Sequence, residues 1–261
     1  MYNYDTIKDL AKQLRDQHSL KCQVTDLIAL AAQNDPFYVG TPTDLEHGRW
    51  FAKLFHRFNY GHGVHLRRIH YQIISQEEPV LMPNGLPYEN TLQCWNFLEI
   101  ASKSARYLEL VKPDLFVDRR NPEPYVFADQ TKPFPFVKVD GLFSSWYLHA
   151  APFPSAPEYE VTGYYGTQRY HLEIWVEKST MNDVLLPLCK TYGVNLVTGV
   201  GEQSITSTVE LVQRAISIDK PVRVFYVSDF DPAGRSMPVA VARRSEFYFK
   251  RYAPCLGFRL F

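Results

Sequence analysis

VFYVSDFDPAGRS, residues 224–236, is the stretch on which the reading of this chain turns. An apolar run reaches Ser228, Asp229 and Asp231 flank Phe230, and Pro232 and Gly234 turn the backbone. A short apolar run bounded by turn residues reads as a buried strand. Ending such a strand on two neighbouring aspartates brings like charges together. Either the pair is solvated, with an Asp capping the helix that follows, or a cation sits there.

Working outward, the whole segment from residue 170 alternates strand and helix. YHLEIWVE (170–177), VNLVTG (194–199) and VRVFYVSD (222–229) read as strands. STMNDVLLPLCKTYG (179–193), SITSTVELVQRAISI (204–218) and GRSMPVAVARRSEFYFKRY (234–252) read as helices between and after them. GFRLF (257–261) reads as a last strand, and the sequence stops there, as in a fragment or a short version of its family. This order implies a mostly parallel sheet with right-handed crossovers.

Ligands of open parallel sheets bind beyond the carboxyl ends of the strands. Glu177 stands at the end of the first of these strands, and Asp229 and Asp231 at the end of the third. If those strands are neighbours, three carboxylates converge. Oxygen ligands without His or Cys suit a hard cation, Mg²⁺ before Zn²⁺. Glu173, on the same strand face as Glu177, competes for the role, and Lys178 is an alternative surface partner for Glu177. In TGVGEQSIT (198–206), Gly199 and Gly201 permit a tight turn and Ser204 a helix cap. That is either an anion-holding helix start or a plain turn.

The first 112 residues read as helical. TIKDLAKQLRDQ (6–17), TDLIALAAQ (25–33), DLEHGRWFAKLFHRF (44–58, capped by Thr43 or Asp44), HLRRIHYQII (65–74) and ENTLQCWNFLEIASKSARYLEL (89–110) carry the helical spacing. Short helices joined by tight turns suit a helix-turn-helix or winged-helix module. Between Pro113 and Pro157 fall eight prolines mixed with aromatics. Residues 113–168 are therefore a connector, with extended or hairpin pieces, too aromatic to be a free linker.

Lys+Arg and Asp+Glu are equal at 28 each, so net charge singles out no partner. Local charge does. From His47 to Gln76 there is no Asp or Glu, while Arg49, Lys53, Arg57, Arg67 and Arg68 lie there with five of the eight histidines. On a helix Arg49, Lys53, His56 and Arg57 share one face; Trp50, Phe51, Leu54, Phe55 and Phe58 turn the other way. In a protein of zero net charge, this is the footprint of a nucleic-acid backbone or a solvated face. In LRRIHYQII, Leu66, Ile69 and Ile73 form the inner edge, and Arg67 and Tyr71 lie one turn apart on another face. A tyrosine hydroxyl beside a guanidinium can attack a phosphate while the arginine steadies its oxygens. The four cysteines are scattered and no apolar run approaches a bilayer span, which predicts a cytoplasmic protein.

Taken in order, WVEKS, TGVGEQSIT and SDFDPAGRSM resemble the Toprim domain, and their combination resembles the A subunit of DNA topoisomerase VI. The related meiotic double-strand-break transesterase and compact phage-type homologues share the pattern. The resemblance covers roughly residues 170–261. It implies a Rossmann-like α/β Toprim domain (169–261) behind a mainly helical winged-helix domain (1–112). Glu177, Asp229 and Asp231 would hold Mg²⁺, and Tyr71 with Arg67 in RRIHY would be the cleaving pair, with Glu177 counted among the catalytic residues as well. The family pattern differs there at Arg68, where an acidic residue is usual, and at His70, where an aromatic is usual. The activity implied is cleavage and rejoining of double-stranded DNA by a homodimer, nucleoid-associated in a bacterium or phage. The sequence has no GK[ST] phosphate loop, so an ATPase would be a separate subunit. A Toprim nuclease and a non-catalytic DNA-binding protein are the alternatives.

Overall fold

The computed structural model describes residues 4–18, 21–128, 136–140, 158–162, 168–201, 203–218 and 220–255. In chain order its helices are α1 (Tyr4–His18), α2 (Pro42–Arg57), α3 (Leu66–Ile74), α4 (Leu92–Tyr107), α5 (Asn182–Tyr192), α6 (Ile205–Ser217) and α7 (Pro232–Tyr252). The strands are β1 (Phe136–Asp140), β2 (Glu158–Thr162), β3 (His171–Val176), β4 (Asn195–Thr198) and β5 (Val222–Val227). A helical region therefore precedes a small parallel sheet flanked by helices. GFRLF lies outside the described residues.

Local chemistry sets the helix starts. Helix α2 begins earlier than the periodicity predicts, because Thr41 and Asp44 form a capping box and Pro42 opens the first turn. Segment 25–33, expected to be helical, keeps only a 3-10 turn at Val24–Leu27. The buried Asp35 carboxylate accepts from Ala29 N at 2.9 Å and Phe37 N at 3.0 Å. The Ala29 donor that a helix would use is thereby diverted to a side chain. Arg243 closes on the same carboxylate at 3.3 Å.

Helices α2, α3 and α4 enclose one core of Phe51, Phe55, Ile69, Ile73, Leu98 and their neighbours. Between α3 and α4 a short ribbon folds back, Met82 N donating to Leu86 O and Tyr88 N to Val80 O. The connector reaches both regions. Phe116 is buried in the α2–α4 core, and Tyr125 pairs antiparallel with Leu196 on the outer edge of β4. Strands β1 and β2 pair antiparallel with each other.

The three-stranded sheet has the order β4-β3-β5, all parallel. Alternation along the strands sends Trp175 and Val197 to Leu211 of α6 and Val241 of α7. Val176 and Leu196 point instead to Cys189 of α5. Helices thus pack on both faces of β3 and β4, whereas β5, expected to be a buried strand, is an edge strand with Val224, Phe225 and Val227 exposed. A further core joins the two regions: Ile7, Phe37, Val39 and Tyr107 pack with Val209, Val212, Phe247 and Tyr248. Phe247 meets Phe37 edge-on at 5.4 Å and Tyr107 at 5.3 Å. Among the described residues no helix is long and apolar enough to cross a membrane.

Candidate functional site: an acidic strand-end cluster and a basic groove

Because β3 lies between its two neighbours, the residues that follow β3 and β5 emerge side by side. Glu177 N extends the ladder to Val227 O at 3.0 Å, and Glu177 Oε2 accepts from Asp229 N at 3.2 Å. Glu177 is only 8% exposed, so its carboxylate is committed to this corner. Lys178 puts its ammonium on the Asp229 carboxylate and stands 3.9 Å from Glu177 Oε1. Asp231 is drawn to α7 as its N-cap, accepting from Gly234 N at 2.6 Å. Gly234 is required at this turn, since a Cβ there would lie 2.1 Å from Asp229 O. The Glu177 carboxylate is thus held against the Asp229 backbone, while Asp231 serves a helix. As the side chains stand, no three His, Cys, Asp or Glu among the described residues are grouped to hold a metal ion.

Glu173, the competitor on the same strand, has a structural role. Arg214 donates to both its oxygens at 2.7 and 2.9 Å, Trp175 Nε1 donates at 2.8 Å, and His171 Nε2 lies at 2.9 Å. Burial alone would raise this carboxyl, but the hydrogen bonds from His171, Arg214 and Trp175 and the Arg214 charge bring it down to about 2.

In the loop after β4 three successive backbone donors are used within the chain. Gly199 N bonds Val176 O at 2.7 Å, Val200 N bonds Asn121 Oδ1 at 2.8 Å, and Gly201 N bonds Glu177 O at 3.2 Å. Gly201 takes φ +90°, the left-handed region that favours glycine. Ser204 caps α6 as the sequence predicts, accepting from Ser207 N at 3.1 Å.

On the helical side, Arg49, Lys53, His56 and Arg57 are exposed along α2, while Phe51, Leu54 and Phe55 are buried behind them. Arg67 and Arg68 are exposed on α3. Tyr71 is 56% exposed on α3. Its neighbour His70 is buried, with Nδ1 2.8 Å from Tyr88 Oη and Nε2 3.2 Å from Asn90 Oδ1. This histidine pins α3 to the ribbon and so fixes where Tyr71 points.

Tyr71 and Arg67 line a groove of about 1300 Å³ running between the helical and α/β regions. Sequence reading missed four arginines that line it: Arg106, Arg119, Arg120 and Arg244. Arg119–Arg120 and Arg243–Arg244 are adjacent pairs in the sequence, but Arg106 and Arg244 lie in helices and look like ordinary surface positions. Glu177, Asp229 and Asp231 do not line this groove. The acids adjoin it through Gln203, which lines it and donates to Val176 O, one residue before Glu177.

The sequence matches no protein-family model, and no curated protein is significantly similar to it.

Proposed function

We propose that this chain is a DNA-binding, Mg²⁺-dependent protein resembling the A subunit of DNA topoisomerase VI. On this reading a winged-helix region precedes a Toprim domain, and the chain cleaves and rejoins double-stranded DNA by tyrosine transesterification. The observation that carries it is the placement of Glu177 against Asp229 at the carboxyl ends of adjacent parallel strands, within the three-motif order WVEKS, TGVGEQSIT, SDFDPAGRSM. The donor set fits the ion: every candidate ligand is a carboxylate, and the Lys178 ammonium already spans Glu177 and Asp229 as a cation would. With Lys178 swung outward, Glu177, Asp229 and Asp231 would hold Mg²⁺, which when bound supplies charge stabilisation at a phosphate undergoing attack.

The remaining steps belong to the chain's own residues. The exposed Tyr71 hydroxyl attacks a backbone phosphorus, forming a phosphotyrosyl bond as the bond to the 3′ oxygen breaks. The tyrosine proton is lost and the 3′ oxygen takes one up, leaving a 5′-linked strand and a free 3′-hydroxyl. Arg67, one turn away, steadies the phosphate oxygens. Arg49, Lys53, Arg57 and Arg68 hold the backbone on either side. The bond energy stays in the phosphotyrosine, so rejoining needs no nucleotide.

Tyr71 and the acids line different surfaces of one chain, which supports a homodimer pairing the tyrosine of one copy with the acids of the other. The same separation supports a second reading, a nuclease in which water replaces the tyrosine. Denaturing-gel trapping with Mg²⁺ separates them. An adduct lost in Tyr71→Phe and restored by mixing Tyr71→Phe with Asp229→Ala supports the transesterase. Cutting that survives Tyr71→Phe but not Asp229→Ala supports the nuclease, and duplex binding without cutting supports a binding protein.

A further inference from the structure

We propose that the floor of the basic groove, where α4 meets the first turn of α6, is a seat for a phosphate oxyanion. Ser102, Arg106 and Arg244 build it around the helix N-terminus, and it holds one backbone phosphate of a bound strand. The strand as source rests on the DNA-binding reading above; the seat itself does not.

Three side chains build it, all on the groove lining. Ser102 is 0% exposed, and its hydroxyl hydrogen-bonds to none of the described residues although the residue lines the groove. A buried hydroxyl without a partner is unfavourable, and an arriving acceptor removes that cost. One turn on, Arg106 donates from Nε to Ser102 O at 3.3 Å and lies 4.9 Å over the Phe116 ring. Its terminal nitrogens bond to none of the described residues, and no described carboxylate forms an ion pair with it. Burial lowers the Arg106 pKa, and the like charge of Arg244 lowers it further, against the opposing pull of Tyr248, Tyr107 and Asp118. The buried Arg244 donates to Gln203 O, just before the Ser204 cap. A guanidinium whose terminal nitrogens are unengaged, beside a helix start, suits an oxyanion.

Helix α6 presents its first turn to the same space, with Thr206 on the groove wall. Of its opening N–H groups, Ser207 N is taken by the Ser204 cap, while the first two have no acceptor within the helix. The nearby carboxylate of Asp118 accepts from Arg120 N, Asn121 N and Asn121 Nδ2. Its lone pairs are engaged by its own turn, and the groove's two acids, Asp118 and Glu99, are outnumbered by Arg67, Arg68, Arg106, Arg119 and Arg120. Arg67, Arg68, Arg119 and Arg120 continue along the groove. A row of cations leading to a single deep seat matches a polyanionic strand better than a lone anion.

The test is calorimetric titration of the full chain with inorganic phosphate, then with a short DNA duplex in the presence of phosphate. Wild type binds phosphate. Ser102→Ala weakens it about tenfold with an unchanged melting temperature, because that hydroxyl makes no bond within the fold. Asp118→Asn tightens it severalfold by removing the opposing charge. Duplex competes phosphate away. No phosphate binding by wild type, or equal binding by Ser102→Ala and Asp118→Asn, overturns the seat. Duplex that binds without displacing phosphate overturns the strand as its source, and phosphate binding without duplex binding retains the seat while removing the DNA reading.

Discussion

Lys178 bridges the two acids that emerge from adjacent strands, its ammonium seated on Asp229 and 3.9 Å from Glu177 Oε1. Its side chain is about half exposed, and the Asp229 hydrogen bond and charge raise its pKa. A divalent ion and this ammonium compete for the same oxygens. On the metal-site reading, Lys178→Met raises Mn²⁺ affinity severalfold in an electron paramagnetic resonance titration. Asp229→Ala abolishes binding in either background. Weaker Mn²⁺ binding by Lys178→Met would show that the lysine assists the site.

Gly234 tests the turn that presents Asp229. A Cβ at that position meets Asp229 O at 2.1 Å and Asp229 C at 2.9 Å, both backbone atoms that cannot swing aside. Gly234→Ala should destabilise the fold by on the order of 3 kcal/mol in denaturant unfolding. Arg235→Ala, next to it but exposed, serves as the neutral control.

Glu173 sets an acid limit on stability. Its folded pKa of about 2 lies below the ordinary 4.5 of an unfolded glutamate. A depressed folded pKa means stabilisation that is complete above about pH 4.5 and disappears as pH falls toward 2. The contribution is about 3 kcal/mol. Thermal melts from pH 6 to pH 2 should show this loss in wild type. Glu173→Gln should start lower at pH 6, because Arg214 loses its partner, and fall less steeply on acidification.

The basic face of α2 makes a salt-dependent prediction. Arg49, Lys53 and Arg57 are exposed, so the triple alanine variant keeps the wild-type melting temperature. If each neutralises one phosphate, the slope of log affinity against log salt falls by about 2 to 3, uniformly across duplex sequences. Fluorescence anisotropy over a salt series measures it. An unchanged slope assigns this face to solvent.

Much of this architecture is legible in the sequence because it is written in short-range periodicity. The strand–helix alternation from residue 170, the two faces of α2 and the Ser204 cap each depend on neighbours within a turn or a pleat. So does the place of Glu177 and Asp229 at strand ends. The failure at 25–33 has the opposite character: its apolar spacing is helical, but the Asp35 carboxylate takes the Ala29 and Phe37 donors and Arg243 of α7 secures it.

By itself, then, the sequence determined the strand and helix segments from residue 170 to the end of α7, the main helices before them, and which acids stand at the strand ends. Only the tertiary structure decided that β3 lies between β4 and β5, which puts Glu177 against Asp229. It also decided that Arg214 neutralises Glu173 and that Asp231 is drawn to α7. Arg106 and Arg244 from distant helices come to share one groove in the same way. The physical reason is range: backbone preference and side-chain alternation act over a few residues. Strand order, buried ion pairs and groove walls are set by which distant apolar faces pack together.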